Sequence, residues 1–146
     1  DQHRGLPRRG RPAVIVVDSS GWLEVLIGGP AAPRFRAHID TADQVIVPAV
    51  VVYKVYRALR REMSESAAKL GVARLEAHTL VELDERLAFA AAKLTLQHGL
   101  ATADAIVYAT AREYSATLIT GDAHFRGLPG VEYVARPEQA APPGPT

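Results

Sequence analysis

Residues 102–122 read TADAIVYATAREYSATLITGD, and the hydrophobic pattern changes period midway through them. From Thr102 to Tyr114, Ile106, Val107 and Ala111 recur at helical spacing, with Thr102 placed as the cap. Ala116 to Ile119 is short and apolar throughout, as a buried strand is, and Thr120-Gly121-Asp122 turns the chain out of it. A helix that runs directly into a buried strand, ending in an acidic turn, is a unit of an α/β fold.

The same grammar extends in both directions. Ala13 to Val17 is a second buried strand, β-branched on both alternations, and Asp18-Ser19-Ser20-Gly21 breaks it. Trp22 to Ile27 predicts a short helix closed by Gly28-Gly29-Pro30, and Arg34 to Thr41 a helical turn or two. Gln44 to Val47 predicts a strand, and Pro48 suits the first turn of a helix running to about Glu62. On that helix Val52, Val55, Tyr56, Leu59 and Met63 form the expected core stripe. A helix from about Ser64 to Ala77, capped by Ser64 or Ser66, completes a helical hairpin. Thr79 to Leu83 reads as a strand, and Asp84 caps a helix with Leu87, Ala91, Leu94 and His98 on one face and Gly99 as its stop. Val131 to Val134 reads as a short edge strand. Strands alternating with helices give an α/β fold around a mostly parallel sheet of four to five strands.

The length of 146 residues suits one domain over residues 13–135, and 48% apolar residues are enough for a core. There is no cysteine, which excludes a disulfide framework, a thiolate zinc site and a cysteine nucleophile. Residues 1–12 carry Arg4, Arg8, Arg9 and Arg11 against Asp1, a net +3 on a chain of formal charge +1. They read as a flexible basic arm, solvated or in contact with phosphates. Residues 136–146, rich in proline, read as a disordered tail. The longest apolar run, Val45 to Tyr53, is broken by Pro48 and falls short of the roughly 20 residues a membrane span needs. The cytoplasm is the expected compartment.

In open α/β sheets ligands gather at the carboxyl ends of strands. Asp18 and Asp122 each follow a strand, and Asp104 lies in the first turn of the helix before the last central strand. Singly, each has an ordinary reading as a helix cap or a partner of a helix dipole. Together, three carboxylates at one sheet edge repel one another unless a divalent cation neutralises them, and oxygen ligands favour magnesium or manganese over zinc.

Four segments, VVDSSGWLEVL, VPAVVVYKVYRALRRE, LATADAIVYATAREY and LITGDAHF, resemble in order the successive motifs of PIN domains of the VapC toxin type. The resemblance spans about residues 13–135. It implies a three-layer sandwich, an acidic pocket holding one or two Mg²⁺ ions (or Mn²⁺), and cleavage of single-stranded or looped RNA by water attack on phosphorus. It makes Asp18, Asp104 and Asp122 the metal-site carboxylates, Asp122 directly or through water, with Ser19 and Thr120 as supporting hydroxyls. A homodimer and a VapB-like antitoxin that occludes the pocket are implied as well.

The family carries a glutamate where this sequence has Lys54, in Tyr53-Lys54-Val55-Tyr56. Lys54 falls off the expected core stripe, so it should reach the pocket edge as a cation in a catalytic position. A ligand is lost and Mg²⁺ is repelled, while the charge substitution preserves the fold by bridging the aspartates. Arg57, Arg60 and Arg61 add a basic ridge suited to RNA phosphates, to an acidic partner or simply to solvent.

Other classes fit less well. A phosphoacceptor receiver domain needs a second acid beside the first, where Ser19-Ser20 stands, and a haloacid-type phosphatase needs an aspartate at Ser20. No glycine-rich phosphate loop follows a strand. His124 reads as packing or turn support for Asp122. The competing reading is a binding module for antitoxin or RNA on a PIN-like scaffold that does no chemistry.

Overall fold

A computed structural model describes residues 13–137; the basic arm and residues 138–146 lie outside the described residues. The elements in order are β1 (Val14–Val17), α1 (Ser19–Ile27), α2 (Ala32–Thr41), β2 (Gln44–Pro48) and α3 (Ala49–Glu62). There follow α4 (Glu65–Glu76), β3 (Thr79–Val81), α5 (Glu85–His98), α6 (Thr102–Glu113), β4 (Thr117–Thr120) and β5 (Val131–Tyr133). The sheet has the order β3-β2-β1-β4-β5, and every pairing is parallel.

Consecutive residues of the central strands, Val16-Val17, Ile46-Val47 and Leu118-Ile119, are all buried, so helices cover both faces of the sheet. This is the three-layer sandwich. The helices pack in pairs, α1 on α2, α3 on α4 and α5 on α6. The α3–α4 pair is the expected hairpin, with Ser64 as its cap: the hydroxyl accepts from Ala67 N at 3.0 Å. No helix among the described residues is long and apolar enough to cross a membrane.

Three local expectations are corrected. The buried row of α3 is Val51, Val55 and Leu59, while Val52 and Tyr56 are half-buried at its rim and Met63, already past the helix end, is exposed. A helix buries the i, i+4 row that faces its neighbours most squarely, and the apolar rim residues blurred that row. Pro48 ends β2, pairing with Val81, and caps α3 from outside its first turn. Ala101 rather than Thr102 precedes α6, and no side chain caps that end.

The strand order places a switch point at the carboxyl end of β1. The chain leaves β1 toward β2 on one side and returns through β4 on the other, so the turns after β1 and β4 face each other across a crevice. Gly21 lets α1 start there. A Cβ at this position would sit 2.6 Å from Val17 Cγ1 and 2.7 Å from the Phe35 ring, inside contact distance of both.

Candidate functional site

Asp18 is the first residue past β1 and the N-cap of α1, accepting from Gly21 N at 3.3 Å. Its capping role is therefore real, yet it is only part of the arrangement. The Ser20 hydroxyl donates to Asp18 Oδ1 at 2.5 Å and the Thr120 hydroxyl to Oδ2 at 2.7 Å. Those two hydroxyls also accept from the turn after β4, Ser20 Oγ from Gly121 N at 3.0 Å and Thr120 Oγ1 from Asp122 N at 2.9 Å. Asp18 is thus stitched to the Thr120-Gly121-Asp122 turn by two parallel bridges. The expected support from Thr120 is observed. The Ser19 expectation is corrected, because Ser20, one residue on in the first turn of α1, is the one whose hydroxyl turns back to the cap.

Burial pushes the Asp18 carboxyl above its ordinary pKa, and the Asp122 charge adds to the rise; the Ser20 and Thr120 hydroxyls and Gly21 N–H pull against it. Asp104, in the first turn of α6, is raised as well, first by burial and then by Asp122, with Lys54 and His124 acting in the opposite sense. Asp122 is thus felt by both other aspartates.

The convergence is tightest among Asp104, Asp122 and His124, each of which offers a ligand atom within 4.8 Å of the others. Asp18 stands outside that group and joins it through Thr120 and Asp122. His124 does support the turn, since its backbone N–H donates to Asp122 Oδ1 at 2.9 Å. Its ring does more: Nδ1 lies 2.9 Å from the same oxygen, on a side chain 81% exposed. A cavity of about 220 Å³ adjoins this group, lined by His98, Gly99, Leu100, Ala101, Asp104 and His124. Neither histidine carried a sequence signal for this beyond the proximity of His124 to Asp122.

Lys54 projects from α3 away from the buried row and places Nζ 4.0 Å from Asp104 Oδ1. The expected approach to the pocket edge is met, though the ion pair is with Asp104 and does not bridge all three aspartates. On another side of α3, Val52, Tyr53, Tyr56, Arg57, Arg60 and Arg61 border a separate groove of about 690 Å³ that Val72 of α4 also lines.

The carboxylates suit a divalent cation that takes oxygen ligands, the neighbouring imidazole is a donor of intermediate hardness, and no thiol is present. Asp18 Oδ1 spends its accepting capacity on the Ser20 hydroxyl and Gly21 N–H, while Oδ2 accepts from the Thr120 hydroxyl and keeps a lone pair. The misfit is Lys54, a cation beside Asp104.

Comparison with known proteins adds the lineage. The PIN domain model matches residues 15–131. No curated protein matches the chain. Among solved structures, the chain is similar to a toxin–antitoxin complex from Klebsiella pneumoniae at 21% identity and a TM-score of 0.69, covering 81% of this chain and 95% of that one. It is similar to VapC20 of Mycobacterium tuberculosis, described as a sarcin-ricin loop cleaving toxin, at 21% identity and a TM-score of 0.69, covering 82% and 98%. It is also similar to DNA-bound VapBC of Salmonella typhimurium at 12% identity and a TM-score of 0.65, covering 84% and 98%. At such identities the likeness carries the fold.

Proposed function

The chain belongs to the PIN domain family, and on that premise we propose that it is the toxin of a toxin–antitoxin module, built as a metal-dependent endoribonuclease and impaired by Lys54. The observation that carries this reading is the meeting of Asp104 and Asp122 at one end of the sheet with Lys54 Nζ 4.0 Å from Asp104. Asp104 and Asp122 would hold a Mg²⁺ or Mn²⁺ ion, with Asp18 beside them. Such an ion, when bound, supplies an activated water and neutralises charge developing on phosphorus.

The residues of the chain do the remainder. Ser20 and Thr120 fix both oxygens of Asp18 and, through the backbone of the β4 turn, fix Asp122 relative to it. Preorganisation of this kind spares the site from reorienting its charges during reaction. Lys54 acts against cation binding. It does so by pairing with Asp104, a carboxylate the ion would need, at 4.0 Å. Where a glutamate would attract the ion, an ammonium repels it.

The proposed partners are supported by the relatives, one a toxin–antitoxin complex and another a DNA-bound VapBC. A VapB-like antitoxin, RNA as substrate, a homodimer and a cytoplasmic setting complete the reading. A second reading, a PIN-fold module that binds antitoxin or RNA without cleaving, is favoured by the same Lys54 contact.

The test is cleavage of a quenched fluorescent RNA in Mg²⁺ or Mn²⁺ by the Lys54 chain, by Lys54→Glu, and by Lys54→Glu carrying Asp18→Asn. We expect Lys54→Glu to cleave about 10²-fold faster or more, and Asp18→Asn to remove the gain. Equal rates from the Lys54 chain and from Lys54→Glu would refute the proposed impairment.

A further inference from the structure

We infer that His124 is itself a ligand of the divalent cation, so that the site is a mixed nitrogen–oxygen centre selecting Mn²⁺ over Mg²⁺. The inference rests on the metal-site reading above and goes beyond it by naming a donor and a preference among ions.

The geometry has three parts. First, Asp104, Asp122 and His124 form the group whose ligand atoms all lie within 4.8 Å of one another. Second, His124 Nδ1 and Asp122 Oδ1 are 2.9 Å apart. The two atoms lie close enough to share one cation. The separation is also that of neighbouring corners of an octahedron with bonds of about 2.1 Å. Third, the backbone beneath the ring is held: the His124 N–H donates to Asp122 Oδ1, the N-cap of the 3-10 turn Ala123–Phe125 that carries His124. Phe125, fully buried, anchors that turn to the core. The imidazole is largely exposed, while the backbone that carries it is fixed.

The cavity of about 220 Å³ beside Asp104 and His124 leaves room for water or a phosphate oxygen on the remaining coordination positions. A ring nitrogen matters for selectivity. Mg²⁺ strongly prefers oxygen and holds its waters, whereas Mn²⁺ accepts imidazole readily. Replacing an acidic ligand by Lys54 removes charge that Mg²⁺ relies on most, and a neutral nitrogen donor compensates Mn²⁺ better than Mg²⁺.

The test uses Mn²⁺ and Mg²⁺ alone, on the Lys54 chain and on Lys54→Glu, each with and without His124→Ala. Electron spin echo modulation of bound Mn²⁺ should show coupling to one ¹⁴N nucleus, and His124→Ala should abolish it. Calorimetry should show Mn²⁺ binding weakened about tenfold or more by His124→Ala, with Mg²⁺ binding changed by about twofold or less. Because the side chain is exposed, the variant should fold, and His124→Gln, which restores an oxygen donor, should recover part of the Mn²⁺ affinity without the nitrogen signal. Bound Mn²⁺ lacking nitrogen coupling, or an unchanged affinity in His124→Ala, overturns the inference and leaves the carboxylate site standing. Absence of bound Mn²⁺ in the Lys54 chain and in Lys54→Glu alike overturns both.

Discussion

At the scale of single residues, the site is a compromise between holding its shape and holding charge. Burial raises the pKa of both Asp18 and Asp104, and the Asp122 charge adds to each rise, so the fold holds acidic groups close together. Asp122→Asn keeps an oxygen to accept from His124 N and removes that repulsion. We expect it to raise metal-free stability by about 1 kcal/mol or less while weakening Mn²⁺ binding, measured by denaturant unfolding and calorimetry. Thr120→Val should act the other way. It leaves Asp18 Oδ2 and Asp122 N without their shared hydroxyl in a buried place, at a cost of about 1–3 kcal/mol in the same unfolding assay. The acids were legible in the sequence because each follows a strand or opens a helix. The serine was misassigned by one residue, since an N-cap carboxylate can meet hydroxyls at several first-turn positions, and side-chain rotation decides which one turns back. The sequence predicts turn support from His124, which its backbone N–H gives; the additional approach of its ring to Asp122 depends on a rotamer that no spacing encodes.

At the scale of elements, the placement of α1 decides whether Asp18 meets the β4 turn. Gly21 is the residue that lets α1 lie against Val17 and Phe35. Gly21→Ala should cost about 1–3 kcal/mol through overpacking, read from thermal or urea unfolding, and should also reduce Mn²⁺ affinity because α1 carries Ser20. A variant destabilised with unaltered affinity would separate the packing of α1 from the site. Sequence patterning found each strand and α-helix of the described residues and most of their ends. It erred where two apolar rows lie side by side, as on α3 with Val51, Val55 and Leu59 inside and Val52 and Tyr56 at the rim. It erred again at Pro48, where one residue closes β2 and also caps α3. Such ends are shared between neighbouring elements, and local propensity cannot divide them.

At the scale of the whole molecule, strand order β3-β2-β1-β4-β5 brings Asp18 after β1 and Asp122 after β4, far apart in the chain, to one crevice. The helices supply the rest: α6 brings Asp104 and α3 brings Lys54, so the site reports the packing of the entire sandwich. A cation that binds only this folded arrangement stabilises it by mass action, by about 2.7 kcal/mol at a hundredfold excess over Kd. Saturating Mn²⁺ should therefore raise Tm, and more for Lys54→Glu than for the Lys54 chain at equal concentration, as followed by calorimetry. The central claim, that the fold gathers these acids around one divalent ion which Lys54 disfavours, is tested most directly by anomalous diffraction. Crystals of the Lys54 chain and of Lys54→Glu would be soaked in the same low concentration of Mn²⁺. The account predicts a manganese peak bounded by Asp104 and Asp122 in Lys54→Glu, at lower occupancy in the Lys54 chain. A peak elsewhere, none in either crystal, or equal occupancy in both would contradict it.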